Sequence, residues 1–177
     1  MQIVAGGGSS LFRGVLLGAT LALALPATAL AQGTIFVVRH AERADTNSGA
    51  PAVMAADPAL SDAGHARAAS LASMLKDARI TAIVVTEYKR TQQTAAPLAK
   101  ALGVTPTVVA AKDVSKLMAT LKSADGNALV VGHSNTVPDV ITALGVTTPV
   151  SVSDTEFDNL FIVTLQPSPR VIQLRYR

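Results

Sequence analysis

Short apolar runs rich in β-branched residues alternate along this chain with longer segments of helical spacing. Residues 34–38, TIFVV, predict a buried strand. A loop follows, marked by Asn47, Ser48, Gly49, Pro51 and Pro58. Residues 63–78 place Ala68, Leu71, Leu75 and Ala78 on one helical face. Ser61 fits the N-cap of that helix, and Asp62 falls in a first turn that favours negative charge. ITAIVV at 80–85 is a second buried strand. Residues 91–102 read as a helix closed by Gly103. A weaker strand is predicted at 106–110, then a helix at 114–122 with Leu117, Met118 and Leu121 facing the core. Residues 128–131 form a strand and 137–144 a short helix, with Pro138 tolerated in its first turn and Gly145 at its end. Two last strands are expected at 160–165 and 171–176, joined through Pro167 and Pro169.

Strands alternating with helices imply βαβ units. The expected fold is α/β, a three-layer αβα sandwich with a mainly parallel central sheet. Such sheets bind ligands at the carboxyl ends of their strands. Three predicted strands end in reactive polar residues: Arg39-His40, Glu87 to Arg90, and His133. These come from separate parts of the chain, and their shared position at strand exits marks the candidate site.

The first residues follow a different logic. Arg13 precedes the apolar run GVLLGATLALAL, Pro26 breaks it, and Ala29-Leu30-Ala31 supplies a small-x-small cleavage site. That order fits a secretory signal peptide over 1–31, cleaved after Ala31. A single domain over 32–177 and a periplasmic or secreted location are the expectations. An uncleaved anchor is the alternative, although residues 14–31 only reach the lower edge of the roughly 17–25 residues that span a bilayer. No membrane span is expected in the mature chain.

Composition narrows the function classes. The 177 residues are 49% hydrophobic but only 3% aromatic, so Ala, Val and Leu must fill the core. The net charge of +3 comes from singly spread residues, which argues against a nucleic-acid surface. The absence of cysteine excludes disulfides, thiolate catalysis and Cys-ligated metal. Nothing in the sequence sets an oligomeric state.

Two of the three histidines stand at strand exits among arginines. Guanidinium cannot ligate a metal and repels cations, while its planar fork matches phosphate oxygens. An oxyanion site is therefore expected, with no metal and no cofactor, and with a small phosphorylated substrate as partner. A neutral imidazole can attack phosphorus and form a phosphohistidine that water later cleaves. Arginines and a protonated second histidine would stabilise charge on the transferring group. An acid must protonate the leaving alkoxide and then activate water. The candidates are His40, Glu87 and His133 for catalysis, with Arg39, Arg43, Arg90 and Asn135 for substrate binding. Asp139 and Glu42 rival Glu87 as the acid. Plainer roles compete with these. Arg43 can be a solvated loop residue, Glu42 a partner that orients an arginine, Glu87 and His65 surface residues, Tyr88 packing, Lys89 solvated, and Asn135 a helix cap.

Four blocks of this chain resemble the histidine phosphatase superfamily, with its phosphoglycerate-mutase-like fold, and they occur in that family's order. VVRHAER is similar to its strand followed by Arg-His-Gly, LSDAGHARA to its helix start, VVTEYKRTQQTA to its Arg-containing helix, and VVGHSNTV to its second histidine strand. FDNLFIV also resembles short bacterial members. The resemblance implies a phosphomonoesterase with His40 as phosphorylated nucleophile and with Arg39, Arg90 and His133 completing the phosphate pocket. Ala41 stands where the family usually has Gly. Arg43 resembles the acid-phosphatase branch and Glu42 the mutase branch. The mutases' acid usually comes from an insertion after the second helix, where this chain is very short, which counts against a phosphoglycerate-mutase-type phosphotransferase. A non-catalytic phosphate-binding module remains the alternative from a different class.

Overall fold

The computed structural model describes residues 33–46 and 57–176, together with Gln2. The predicted signal peptide and most of the loop after the first strand lie outside the described residues. Among them the elements run β1 (Ile35–Arg39), α1 (Asp62–Leu75), β2 (Ile80–Val85), α2 (Lys89–Leu102), β3 (Thr107–Val108), α3 (Val114–Lys122), β4 (Asn127–Gly132), α4 (Thr136–Ala143), β5 (Asn159–Thr164) and β6 (Arg170–Arg175).

The strands form one sheet in the order β3-β2-β4-β1-β5-β6. β1 pairs in parallel with β4, as does β2 with β4 and with β3. β5 runs antiparallel to both β1 and β6. The period of two along each strand divides the core into two layers. Phe36, Val38, Ile83, Val85, Leu129 and Val131 face α1 and α2, where they meet Leu71, Leu75, Ala95 and Leu98. Ile35, Val37, Val84, Val130, Phe161 and Val163 face α3 and α4 and meet Leu117, Val137, Val140 and Ile141. The result is the expected αβα sandwich. No helix among the described residues is long and apolar enough to cross a membrane.

Most predicted ends lie within two residues of the observed ones. Helix α1 stops three residues sooner than its spacing predicts. The Ala78 N–H donates to the Leu75 carbonyl, Asn127 Nδ2 donates to the Ala78 carbonyl at 2.7 Å, and Arg79 takes φ +50°. A side chain from β4 thus turns the chain towards β2. Edge strand β3 keeps only two of its five predicted residues. Gly103 closes α2 at φ +66°, as expected.

The start of α1 is capped as predicted, with the Ser61 hydroxyl accepting from the Gly64 N–H at 3.1 Å. Gly64 has a second duty. A Cβ there would lie 2.2 Å from the Glu42 carbonyl oxygen, which accepts from the Ser61 N–H. The loop leaving β1 can approach α1 only over a bare Cα. We expect Gly64→Ala to lose about 1–3 kcal/mol despite its better helix propensity. A lowered urea midpoint at unchanged slope would show it, and an unchanged midpoint would refute it.

Candidate active site

β1 and β4 are side by side, and the register pairs Arg39 with Gly132. The next residues, His40 and His133, must therefore leave the sheet together. Their ring centroids are 5.3 Å apart. The chain departs from β1 toward the α1 face and from β4 toward the α4 face, so the pair occupies a crevice where connections diverge, the usual ligand position in open α/β sheets.

His40 is 3% exposed. Its Nδ1 lies 2.8 Å from the Ala41 carbonyl, which can only accept, so Nδ1 carries the hydrogen. In the neutral ring this leaves the lone pair on Nε2. Burial, then the positive charge of Arg39, lowers the His40 pKa to about 3, against the opposing pull of the Ala41 carbonyl. The loop is held from below, because the His40 N–H donates to the Gly132 carbonyl and the Ala41 N–H to Thr94 Oγ1 on α2. Ala41 is fully buried and fills the position where Gly was expected by resemblance.

His133 is oriented by a directed chain. Arg90 Nη2 approaches its Nδ1 at 3.4 Å, and guanidinium can only donate. Nε2 therefore carries the hydrogen and donates to Thr86 Oγ1 at 3.0 Å. Thr86 contacts Thr91 Oγ1 at 2.9 Å, and Thr91 donates to the Tyr88 carbonyl at 2.8 Å. Burial first, then Arg90, lowers the His133 pKa to about 4, with Glu87 opposing. The second histidine is thus neutral in the free protein, whereas the protonated ring was expected during phosphoryl transfer. A bound dianion would favour its charged form.

The structure brings three arginines to this crevice, each beside an aspartate. Buried Arg39 donates through Nη1 to the carbonyls of Ser153 and Glu156, lies over the Phe157 ring at 4.1 Å, and has Asp154 at 3.9 Å. Arg90 stacks over Tyr88 at 4.3 Å and has Asp57 at 3.8 Å. Burial lowers the pKa of both, and Arg43 adds to the effect in each case. The buried Nε atoms of Arg39 and Arg90 have no hydrogen-bond acceptor among the described residues. Such donors are costly to leave unmade, and an oxyanion would satisfy them. Arg43 is near enough to share the field, but its fork binds Asp45 through Nε at 2.8 Å and through Nη2. It is neither a solvated side chain nor a fork open to phosphate.

The acid candidates fare differently. Glu42 is bound by Arg67 of α1 through contacts of 2.6–2.9 Å. Burial raises its pKa, and the Arg67 hydrogen bonds more than reverse this. It orients a helix arginine outside the site. Glu87 is exposed, and its Oε2 accepts from the Ala111 N–H at 2.8 Å, anchoring the segment after β3. Asp139 is exposed in the first turn of α4. Asn135 sits at the N-cap of α4 but makes no side-chain cap there. The contact expected of it belongs to Thr136, whose Oγ1 accepts from the His133 N–H at 2.9 Å. His65 and Lys89 are exposed, as expected. Tyr88 does more than pack, since its ring meets His133 edge-on at 5.2 Å. Thr86, Phe157 and Asp154 were not singled out. Thr86 had a signal in its place at a strand exit, whereas Phe157 and Asp154 lie in a loop distant in sequence.

Among the described residues, no group of three or more His, Cys, Asp or Glu is arranged to hold a metal ion. A cavity of about 440 Å³ opens at the other end of the sheet and is lined mainly by apolar residues such as Ile35, Met118, Leu121 and Leu165. None of the histidines, arginines or acid candidates of the crevice lines it.

Residues 35–113 match the model of the histidine phosphatase superfamily (branch 1). That segment carries Arg39, His40 and Arg90 within the fold just described. Over that segment the chain is similar to the histidine phosphatase superfamily. Solved structures with this fold include the protein histidine phosphatase SixA complexed with tungstate, at 19% identity and TM-score 0.60, covering 80% of this chain and 96% of that one. A provisionally assigned phosphohistidine phosphatase SixA from Agrobacterium tumefaciens aligns at 19% identity and TM-score 0.58, covering 81% and 98%. A mycobacterial glucosyl-3-phosphoglycerate phosphatase aligns at 14% identity and TM-score 0.61, with the same coverages. No curated protein matches the chain.

Proposed function

We propose that this chain is an exported phosphomonoesterase that hydrolyses its substrate through phospho-His40 without a metal. The observation that carries this reading is His40 itself. It is neutral, has its Nδ1 hydrogen committed to the Ala41 carbonyl, and keeps its Nε2 lone pair beside buried arginine donors that lack acceptors. The imidazole lone pair attacks phosphorus, the arginines take the charge of the equatorial oxygens, and water releases phosphate from the phosphohistidine. Phosphatases among the similar structures support the reaction class, and two of these structures contain tungstate or inorganic phosphate. Export is supported by the Arg13, apolar-run and Ala29-Leu30-Ala31 pattern. Metal independence is supported by three guanidinium groups, which disfavour a cation.

The test is hydrolysis of a nitrophenyl phosphate in excess EDTA, with acid-labile, base-stable label captured on His40 by rapid quench. Turnover that EDTA abolishes would refute the metal-free reading. One finding favours the alternative of a non-catalytic binder, because Glu42 and Glu87 are engaged elsewhere. Label that forms and then leaves as inorganic phosphate rejects that alternative.

A further inference from the structure

The proposed reaction lacks a proton donor for its leaving group, and the geometry points to Asp154 as the group that protonates the departing oxygen and then activates water. This inference rests on the phosphatase reading above.

The loop before β5 covers the nucleophile. Arg39 Nη1 holds the Ser153 and Glu156 carbonyls at 2.8 and 3.2 Å, and Phe157 lies over the Arg39 guanidinium and 6.1 Å from the His40 ring. Asp154 is fixed within that segment. Its Oδ1 accepts from Ser134 Oγ at 2.5 Å, and Ser134 directly follows His133. The same carboxylate is 3.9 Å from Arg39 Nη2. One carboxylate thus touches both halves of the crevice, the β1 exit through Arg39 and the β4 exit through Ser134. Its side chain is 88% exposed, so a leaving group and a water can both reach it. Glu42 has both carboxylate oxygens on Arg67, and Glu87 has Oε2 on the Ala111 N–H.

The exposure of Asp154 lets the proton that the first step requires come from solvent. In the first step the His40 Nε2 lone pair forms the P–N bond, the P–O bond to the leaving group breaks, and the Asp154 proton passes to that oxygen, giving a free alcohol. In the second step the Asp154 carboxylate takes a proton from water, the water oxygen bonds to phosphorus, and the P–N pair returns to Nε2. Phosphate leaves and Asp154 is protonated again.

The test compares kcat/KM for dinitrophenyl, nitrophenyl and phenyl phosphate, whose leaving groups grow steadily more basic. This parameter reports the step that breaks the P–O bond. Asp154→Asn should stay close to wild type on the dinitrophenyl ester, which needs no proton. It should lose about 10²–10⁴-fold on phenyl phosphate. With the dinitrophenyl ester, phospho-His40 should also accumulate in this variant, because its water is no longer activated. An equal loss on all three esters would mean that Asp154 only supports Arg39 or the loop, and no loss would remove it from the reaction; either overturns the proposal while the phosphatase reading stands. A steepened dependence in Glu87→Gln instead would transfer the role to Glu87. Wild-type protein that hydrolyses none of the esters and takes no label on His40 would overturn the phosphatase reading, and this proposal with it.

Discussion

Replacing His40 by alanine is expected to reduce phosphate-ester hydrolysis by about 10⁴–10⁶-fold, the scale of removing a covalent nucleophile. The structure gives the physical reason. No second nucleophile occupies the Nε2 position, and His133 has Nε2 committed to Thr86 and Nδ1 facing Arg90. The variant should fold, because the side chain makes one hydrogen bond, to its neighbour's carbonyl. Circular dichroism should therefore match wild type while activity and label are lost. The pH dependence follows from the same burial. With its pKa lowered to about 3, mainly by burial, His40 keeps its lone pair well below the ordinary imidazole range. Its contribution to kcat/KM should fail only as the pH drops through about 3. An acid limb centred near pH 6.5 would be at odds with a buried neutral nucleophile, and so would undiminished turnover in His40→Ala.

The second large effect is expected at Arg90. This side chain approaches His133, stacks on Tyr88 and has a buried Nε without an acceptor among the described residues. Arg90→Lys keeps the charge but loses the fork, and kcat/KM should fall by about 10²–10³-fold, as for removal of a preorganised oxyanion donor. Inorganic phosphate should inhibit this variant much more weakly. In Arg90→Gln the nearest cation is gone, so the His133 pKa should rise above about 4, although burial still holds it below its ordinary value. A proton NMR titration of the His133 ring reads this directly. Wild-type phosphate inhibition in Arg90→Lys would show that the fork faces away from the ligand.

Particular residues show how far the sequence could be read. Ser61 and Gly103 mark helix ends by local chemistry, and both act as expected. The alternation in IFVV sets which side chains enter which layer, because successive residues of a strand face opposite sides. Arg39, His40, Arg90 and His133 were legible because reactive polar residues interrupt apolar runs where strands end. Glu42, Glu87 and Asn135 were not, because each has several partners within reach and only the packed chain selects one.

By itself the sequence determined the α/β architecture, the strand exits that carry the site, and the resemblance to the histidine phosphatase superfamily. Periodicity, capping and strand-exit chemistry act over a few residues, so one sequence displays them. Tertiary structure decided the rest. It paired β1 with β4 and so set His40 beside His133. It sent Glu42 to Arg67 and Glu87 to Ala111, and it folded the 153–157 segment over Arg39. Those outcomes depend on contacts between residues up to 117 positions apart, where direction and distance select among partners that sequence spacing leaves equal.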